Sequence, residues 1–160
     1  MQALLRQYNI VSPLYITLYG AVVMGIVYIF QYGFGYQPCQ LCVWQRFPWS
    51  MVILLGAVAY LAPLMAKKIL YICTFILFIG MGIAIFQAGV EYGFWTGLSS
   101  CGGSTQMLSG SALLNSLETQ IAPQCDTASW TLFGVSMAGY NAIISLDAGI
   151  FTFLLARLQK

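Results

Sequence analysis

The chain has 160 residues, of which 60% are hydrophobic, 15% aromatic and only 6% charged, and this excludes a water-soluble globule. Six Lys and Arg against four Asp and Glu give a net charge of +2, and there is no histidine. The commonest general base and metal ligand is therefore missing, and any chemistry must run on sulfur, arginine and carboxylates.

Four stretches, 12–32, 42–64, 69–90 and 136–156, are each near the ~20 apolar residues that a bilayer helix needs. The expected fold class is all-α: a polytopic membrane protein, 1–160 as a single membrane domain. The apolar run after Arg6 is as long as a full span and no A-x-A-like cleavage site follows, so it reads as a retained anchor rather than a signal peptide. Arg6, Lys67, Lys68, Arg157 and Lys160 all fall on one side of a four-span topology, which the positive-inside rule makes the cytoplasm, with both termini there. Arg46 stands alone among the basic residues on the other face.

Span one carries Gly20 and Gly25, which read as sites of close helix approach. A loop with Gly33 and Gly35 as turn residues leads to Gln37-Pro38-Cys39-Gln40-Leu41-Cys42-Val43-Trp44-Gln45-Arg46. If Pro38 opens span two as a helix, Cys42 and Arg46 are one turn apart on one face, and the guanidinium can reach the sulfur. A helix N-terminus and a fixed positive charge both favour thiolate, the form that attacks disulfides, so the stretch reads as redox-active. Pro48 then falls within the first turns of span two, where the missing N–H should bend it.

All four tryptophans, Trp44, Trp49, Trp95 and Trp130, fall on the outer side of this topology. They read as an interfacial belt, with one or more of them lining a flat-ring pocket as the other reading. In span three, Cys73 lies alone near the cytoplasmic end and reads as a small buried hydrophobe, while Gly80, Gly82 and Gly89 suggest close packing. Gln87 and Glu91 lie one turn apart at the outer end; for Gln87, function and plain helix-to-helix hydrogen bonding are equal readings.

Residues 92–133 form the only long polar connection and hold Cys101 and Cys125. Gly102 and Gly103 give Cys101 backbone freedom, and Leu117 and Ile121 recur at helical spacing with Leu113 or Leu114 in a stretch that fits a short interfacial helix ended by Pro123. Span four carries Asp147 near mid-membrane, at a cost of about 2.5–3.5 kcal/mol if ionised, so it is expected to be neutral or to face a neighbouring helix.

With Cys73 set aside, four thiols remain on one face as two pairs, one tight and beside a basic residue, the other wide and in a loop. Zinc sites also use Cys-x-x-Cys, but they predict a second short-spaced pair. Two static disulfides would match the count without accounting for Arg46 or the glycines. An adaptor without activity is a weaker alternative. Two disulfides in series can pass electrons, since a soluble dithiol attacks one and its reduced product attacks the other. The chain has no nucleotide-binding glycine motif and no C-x-x-C-H haem motif, so a lipid-soluble acceptor is the economical choice. A quinone ring fits against Trp44 or Phe47, with Arg46 stabilising both the Cys42 thiolate and the reduced ring. No metal site is expected.

Cys39-Gln40-Leu41-Cys42 with Arg46, Gly89-Val90-Glu91-Tyr92, Pro123-Gln124-Cys125-Asp126 and Trp130-Thr131-Leu132-Phe133-Gly134 together resemble the DsbB family of bacterial inner-membrane disulfide bond formation proteins, over nearly the whole chain. The resemblance implies a four-transmembrane-helix bundle with a long outer loop between helices 3 and 4, and a protein-disulfide oxidoreductase that passes electrons from a dithiol to ubiquinone or menaquinone. It implies that Cys101 forms the mixed disulfide with a periplasmic, thioredoxin-fold DsbA-like protein, that Cys125 is its partner and then engages Cys39, and that Cys42 meets the quinone with Arg46 beside it. Gln87 stands near the quinone where some relatives carry histidine. The direction of electron flow depends on relative potentials and stays open, as does the resting connectivity among three possible pairings. The redox cysteines would be periplasmic, and no nucleic-acid partner is expected.

Overall fold

The computed structural model describes residues 2–97 and 125–159, with side chains from residue 11 onward. The expectations for Cys101, its glycines and the amphipathic stretch at 113–121 lie outside the described residues.

Among the described residues four helices are long and apolar enough to cross a membrane: Val11–Gly33, Gln40–Leu61, Ala66–Glu91 and Met137–Leu158. The first consists of α1 (Gln2–Tyr28) and a π-helical turn, Ile29–Gly33. The second is split into α2 (Gln40–Trp44) and α3 (Arg46–Leu61). The break falls after Trp44 because Pro48, four residues on, has no N–H to offer the Trp44 carbonyl. The interruption expected at the proline is thus displaced one turn toward the cysteines. At the other end α3 stops at Leu61 rather than near 64, since Ala62 precedes Pro63 and takes φ −121°, ψ 73°, outside the helical region. The helices α4 (Ala66–Glu91) and α5 (Met137–Leu158) are long and unbroken.

The interior of the bundle is filled by Ile16, Val52, Ala59, Leu70, Leu77 and Ala156, all at zero exposure. Leu18, Val22, Leu54, Phe75 and Ile143 point outward, as expected where the solvent is lipid and apolar side chains need not be hidden. Close approach is carried by small residues. A methyl group on Gly56 would collide with Thr17 Oγ1 of α1, and one on Gly89 would enter the Trp95 ring. Gly20 and Gly80 are likewise tight, against Ile53 and Pro48, whereas Gly25 and Gly82 have open space and do not serve the packing expected of them.

Ahead of α5 the chain forms a hairpin, β1 (Thr131–Leu132) against β2 (Val135–Ser136), with Thr131 opposite Ser136. Its two turn residues both have positive φ, Phe133 at 51° and Gly134 at 77°, the requirement of a two-residue turn that matches strand twist. The Tyr92 hydroxyl, just past α4, donates to Gly134 O at 2.8 Å and accepts from Ser136 N at 3.0 Å, while Tyr140 Oη donates to Leu132 O at 3.0 Å. The hairpin is thus fastened to both α4 and α5. Asp147 is exposed on α5, on the side where Tyr19 of the neighbouring α1 lies.

Candidate functional site

Cys39 caps α2. Its backbone is extended (φ −73°, ψ 170°) and its sulfur accepts from the Cys42 N–H at 3.3 Å, taking up one of the donors that a helix start leaves free. Helical geometry brings the second cysteine back over the first, and the two sulfurs stand 2.8 Å apart as free thiols. The Cys39 S–H shared with Cys42, and then burial, hold Cys39 above the ordinary thiol range. Cys39 therefore keeps the proton of the pair.

Cys125 is buried to 1% exposure and packs with Cys39 and Leu41, with Cys42 and Phe86 alongside. Residues far apart in the chain are brought together here. Cys73, by contrast, lies in the hydrophobic core among Leu70 and Leu77 and joins no thiol cluster among the described residues.

Arg46 does not extend to Cys42 as helical spacing suggests. The α2–α3 break turns it toward α1, where Nη1 donates to Gln31 Oε1 at 2.6 Å and the guanidinium carbon lies 5.4 Å from the centre of the Tyr28 ring. Its Nε is buried without a partner among the described residues. The π-helical turn presents Gln31 for this contact, an example of such a turn re-aiming a polar side chain.

Gln87 makes the polar contact to the sulfurs. Its Nε2 donates to Cys42 Sγ at 3.1 Å, reaches Cys39 Sγ at 3.5 Å and donates to Glu91 Oε1 at 2.9 Å. Its Oε1 accepts from Gln45 Nε2 at 2.6 Å. Asn141 Nδ2 donates to Gln45 Oε1 at 2.6 Å, and Trp49 Nε1 donates to Asn141 Oδ1 at 2.9 Å. Trp49 is 2% exposed, so it is an interior hydrogen-bond donor and not a member of an interfacial belt. Trp95 stacks on Phe86 and donates to the Phe86 carbonyl, and Trp130 meets Phe30 edge-on.

Trp44 and Phe47 line an apolar groove of about 310 Å³ between α3 and α4, completed by Pro48, Met51, Ile76, Ile79 and Ile83. Neither Arg46 nor Gln87 lines it. Gln31, Gln45, Asn141 and the interior role of Trp49 escaped the sequence reading. The signal that marked Gln87, a polar side chain within an apolar span, applies equally to Gln31, Gln45 and Asn141.

A protein of Rickettsia prowazekii (strain Madrid E), named "Uncharacterized protein RP370", is 24% identical over 157 residues, covering 96% of this chain and 91% of that protein. No solved structure matches. The family model described as "Disulfide bond formation protein DsbB" matches residues 11–155, nearly the whole bundle and every described cysteine, and the chain accordingly belongs to the DsbB family of four-helix, multi-pass membrane proteins of disulfide bond formation.

Proposed function

We propose that this protein is a quinone-dependent thiol oxidase of the bacterial inner membrane. It reoxidises a periplasmic, thioredoxin-fold DsbA-like dithiol protein, with both termini in the cytoplasm and the redox cysteines on the periplasmic side. The observation that carries this reading is the packing of Cys125 against Cys39 beside Cys42, because thiol–disulfide exchange needs the attacking sulfur against the sulfur it attacks.

The steps balance as two-electron exchanges. A partner thiolate opens the Cys101–Cys125 disulfide at Cys101, releasing Cys125 as thiolate; the partner's second thiol then displaces Cys101 and leaves oxidised. Cys125 attacks Cys39 Sγ of an oxidised Cys39–Cys42 pair, that S–S bond breaks, and Cys42 departs as thiolate. Cys101 completes the transfer by displacing Cys39, which restores Cys101–Cys125. The Gln87 amide, donating to Cys42 Sγ, stabilises the charge that this sulfur acquires.

The residues present fit a lipid-soluble ring: the groove beside Trp44 and Phe47 is lined by apolar side chains. Trp44, Phe47 and Met51 would hold the ring and exclude water. A bound quinone supplies the sink for two electrons and two protons. Cys39, which holds its proton, delivers one of the two when the pair closes again to the disulfide, and the other, lost where the attacking thiolate formed, returns from solvent.

The test is quinone reduction by the purified protein in lipid, given a reduced thioredoxin-like substrate. Turnover by the unaltered protein and none by Cys42→Ser supports the proposal; turnover unchanged in Cys42→Ser overturns it.

A further inference from the structure

Between α3, α4 and α5 the buried polar side chains form one row with a direction. Trp49 donates to Asn141, Asn141 to Gln45, Gln45 to Gln87, and Gln87 to Cys42 and Glu91. An amide can face either way in such a row, but an indole cannot, because it carries one N–H and no acceptor. Asn141 must therefore present its oxygen to Trp49, which turns its NH2 to Gln45. The same sense passes on through Gln45 to Gln87. At the far end Glu91 Oε1 accepts, so a reversed Gln87 would set oxygen against oxygen.

Trp49, Gln45 and Gln87 are 2%, 7% and 2% exposed and Asn141 is partly buried, so water, which serves either sense, is kept from every member of the row but Asn141. In a dry row a misoriented amide costs the full penalty of an unpaired group.

We propose that Trp49, Asn141 and Gln45 are positioning residues that hold the Gln87 amide with its N–H groups toward Cys42 Sγ. This rests on the reading of Cys42 as the departing thiolate and adds what keeps a donor aimed at it. Among the described residues, the titratable or charged groups around Cys42 are Cys39 in its own turn, Glu91 from α4, Cys125 from the segment before the hairpin, and Arg46, which is turned to Gln31. From α5 the row receives only the neutral Asn141.

The experiment uses the full chain, reduced, in lipid nanodiscs. Iodoacetamide alkylation of Cys42 is followed by mass spectrometry across pH for the unaltered protein, Gln45→Met and Trp49→Phe. Gln45→Met keeps the shape and removes the donor to Gln87; Trp49→Phe removes the fixed end of the row. At neutral pH the Cys42 rate falls roughly 3- to 10-fold in Gln45→Met, and less in Trp49→Phe, the size of one lost hydrogen bond to an anion. At alkaline pH, where the thiolate forms unaided, the rates converge. An unchanged pH profile in both variants overturns the proposal. So does faster alkylation at every pH, since that means these residues only hold the helices together. If Gln45→Met does not fold, Trp49→Phe decides by the same outcomes. Alkylation needs no quinone and no partner, so a failure of the proposed function appears separately, as absent quinone reduction by the unaltered protein.

Discussion

Arg46 Nη1 donates to Gln31 Oε1 at 2.6 Å, joining the start of α3 to the π-helical turn that ends span one. The guanidinium also lies over Tyr28, so one side chain fastens two helices by a hydrogen bond and a cation–ring contact. Lysine keeps the charge but has neither the fork nor the flat face. Arg46→Lys and Gln31→Leu should each lower the unfolding midpoint, and the double variant should show a coupling energy of about 0.5–3 kcal/mol in a double-mutant cycle. Additive losses would mean that the contact contributes nothing.

Replacing Gln87 by Leu removes the donor to Cys42 and leaves Gln45 Nε2 and Glu91 Oε1 without their partner. Stability should fall by about 1–3 kcal/mol, the range for orphaned buried polar groups. Quinone reduction, measured at saturating dithiol substrate, should slow by roughly tenfold, as one charge-assisted hydrogen bond is lost.

Tyr92 holds the hairpin that follows Cys125, through the Gly134 carbonyl and the Ser136 N–H. Tyr92→Phe should cost about 1 kcal/mol and loosen the seating of Cys125 against Cys39. Transfer between the two cysteine pairs should slow, while alkylation of Cys42 in the reduced protein stays unchanged. Rapid quenching with a thiol-blocking reagent measures the first, and mass spectrometry the second.

Gly89 lies under the Trp95 ring, and a methyl group there has nowhere to go. Gly89→Ala should push Trp95 off Phe86, shift the tryptophan fluorescence and cost about 1–3 kcal/mol, as overpacking does. Gly82→Ala, with nothing near its Cβ position, should be silent or slightly stabilising through helix propensity.

Because Cys39 is held above the ordinary thiol range by Cys42 and by burial, the folded reduced protein keeps a proton that the unfolded chain gives up. The stability gained is fully present below the ordinary thiol pKa of about 8.5 and declines as pH rises beyond it. Chemical denaturation of the reduced protein should show this alkaline decline. Cys39→Ser should lessen it.

Composition and the lengths of the apolar runs determined that this is a four-span helical protein, since a bilayer leaves a backbone few ways to satisfy its hydrogen bonds. The Cys-x-x-Cys, set where a span begins, likewise placed two sulfurs together, because one turn of helix returns the chain over its start. Local rules went wrong at the first point where two of them conflicted. Spacing put Arg46 over Cys42, but Pro48 removed the bond that would have kept α2 and α3 in one register, and Arg46 turned to α1. The companions of the sulfurs were settled by contacts between distant segments. Gln87 comes from α4, Asn141 from α5, and Cys125 from a segment seated by tyrosine hydroxyls. Nothing in a periodic pattern states which polar side chain of one helix faces which of another; in lipid that is decided by how closely small residues such as Gly56 and Gly80 let the helices meet and by the need to pair every buried donor.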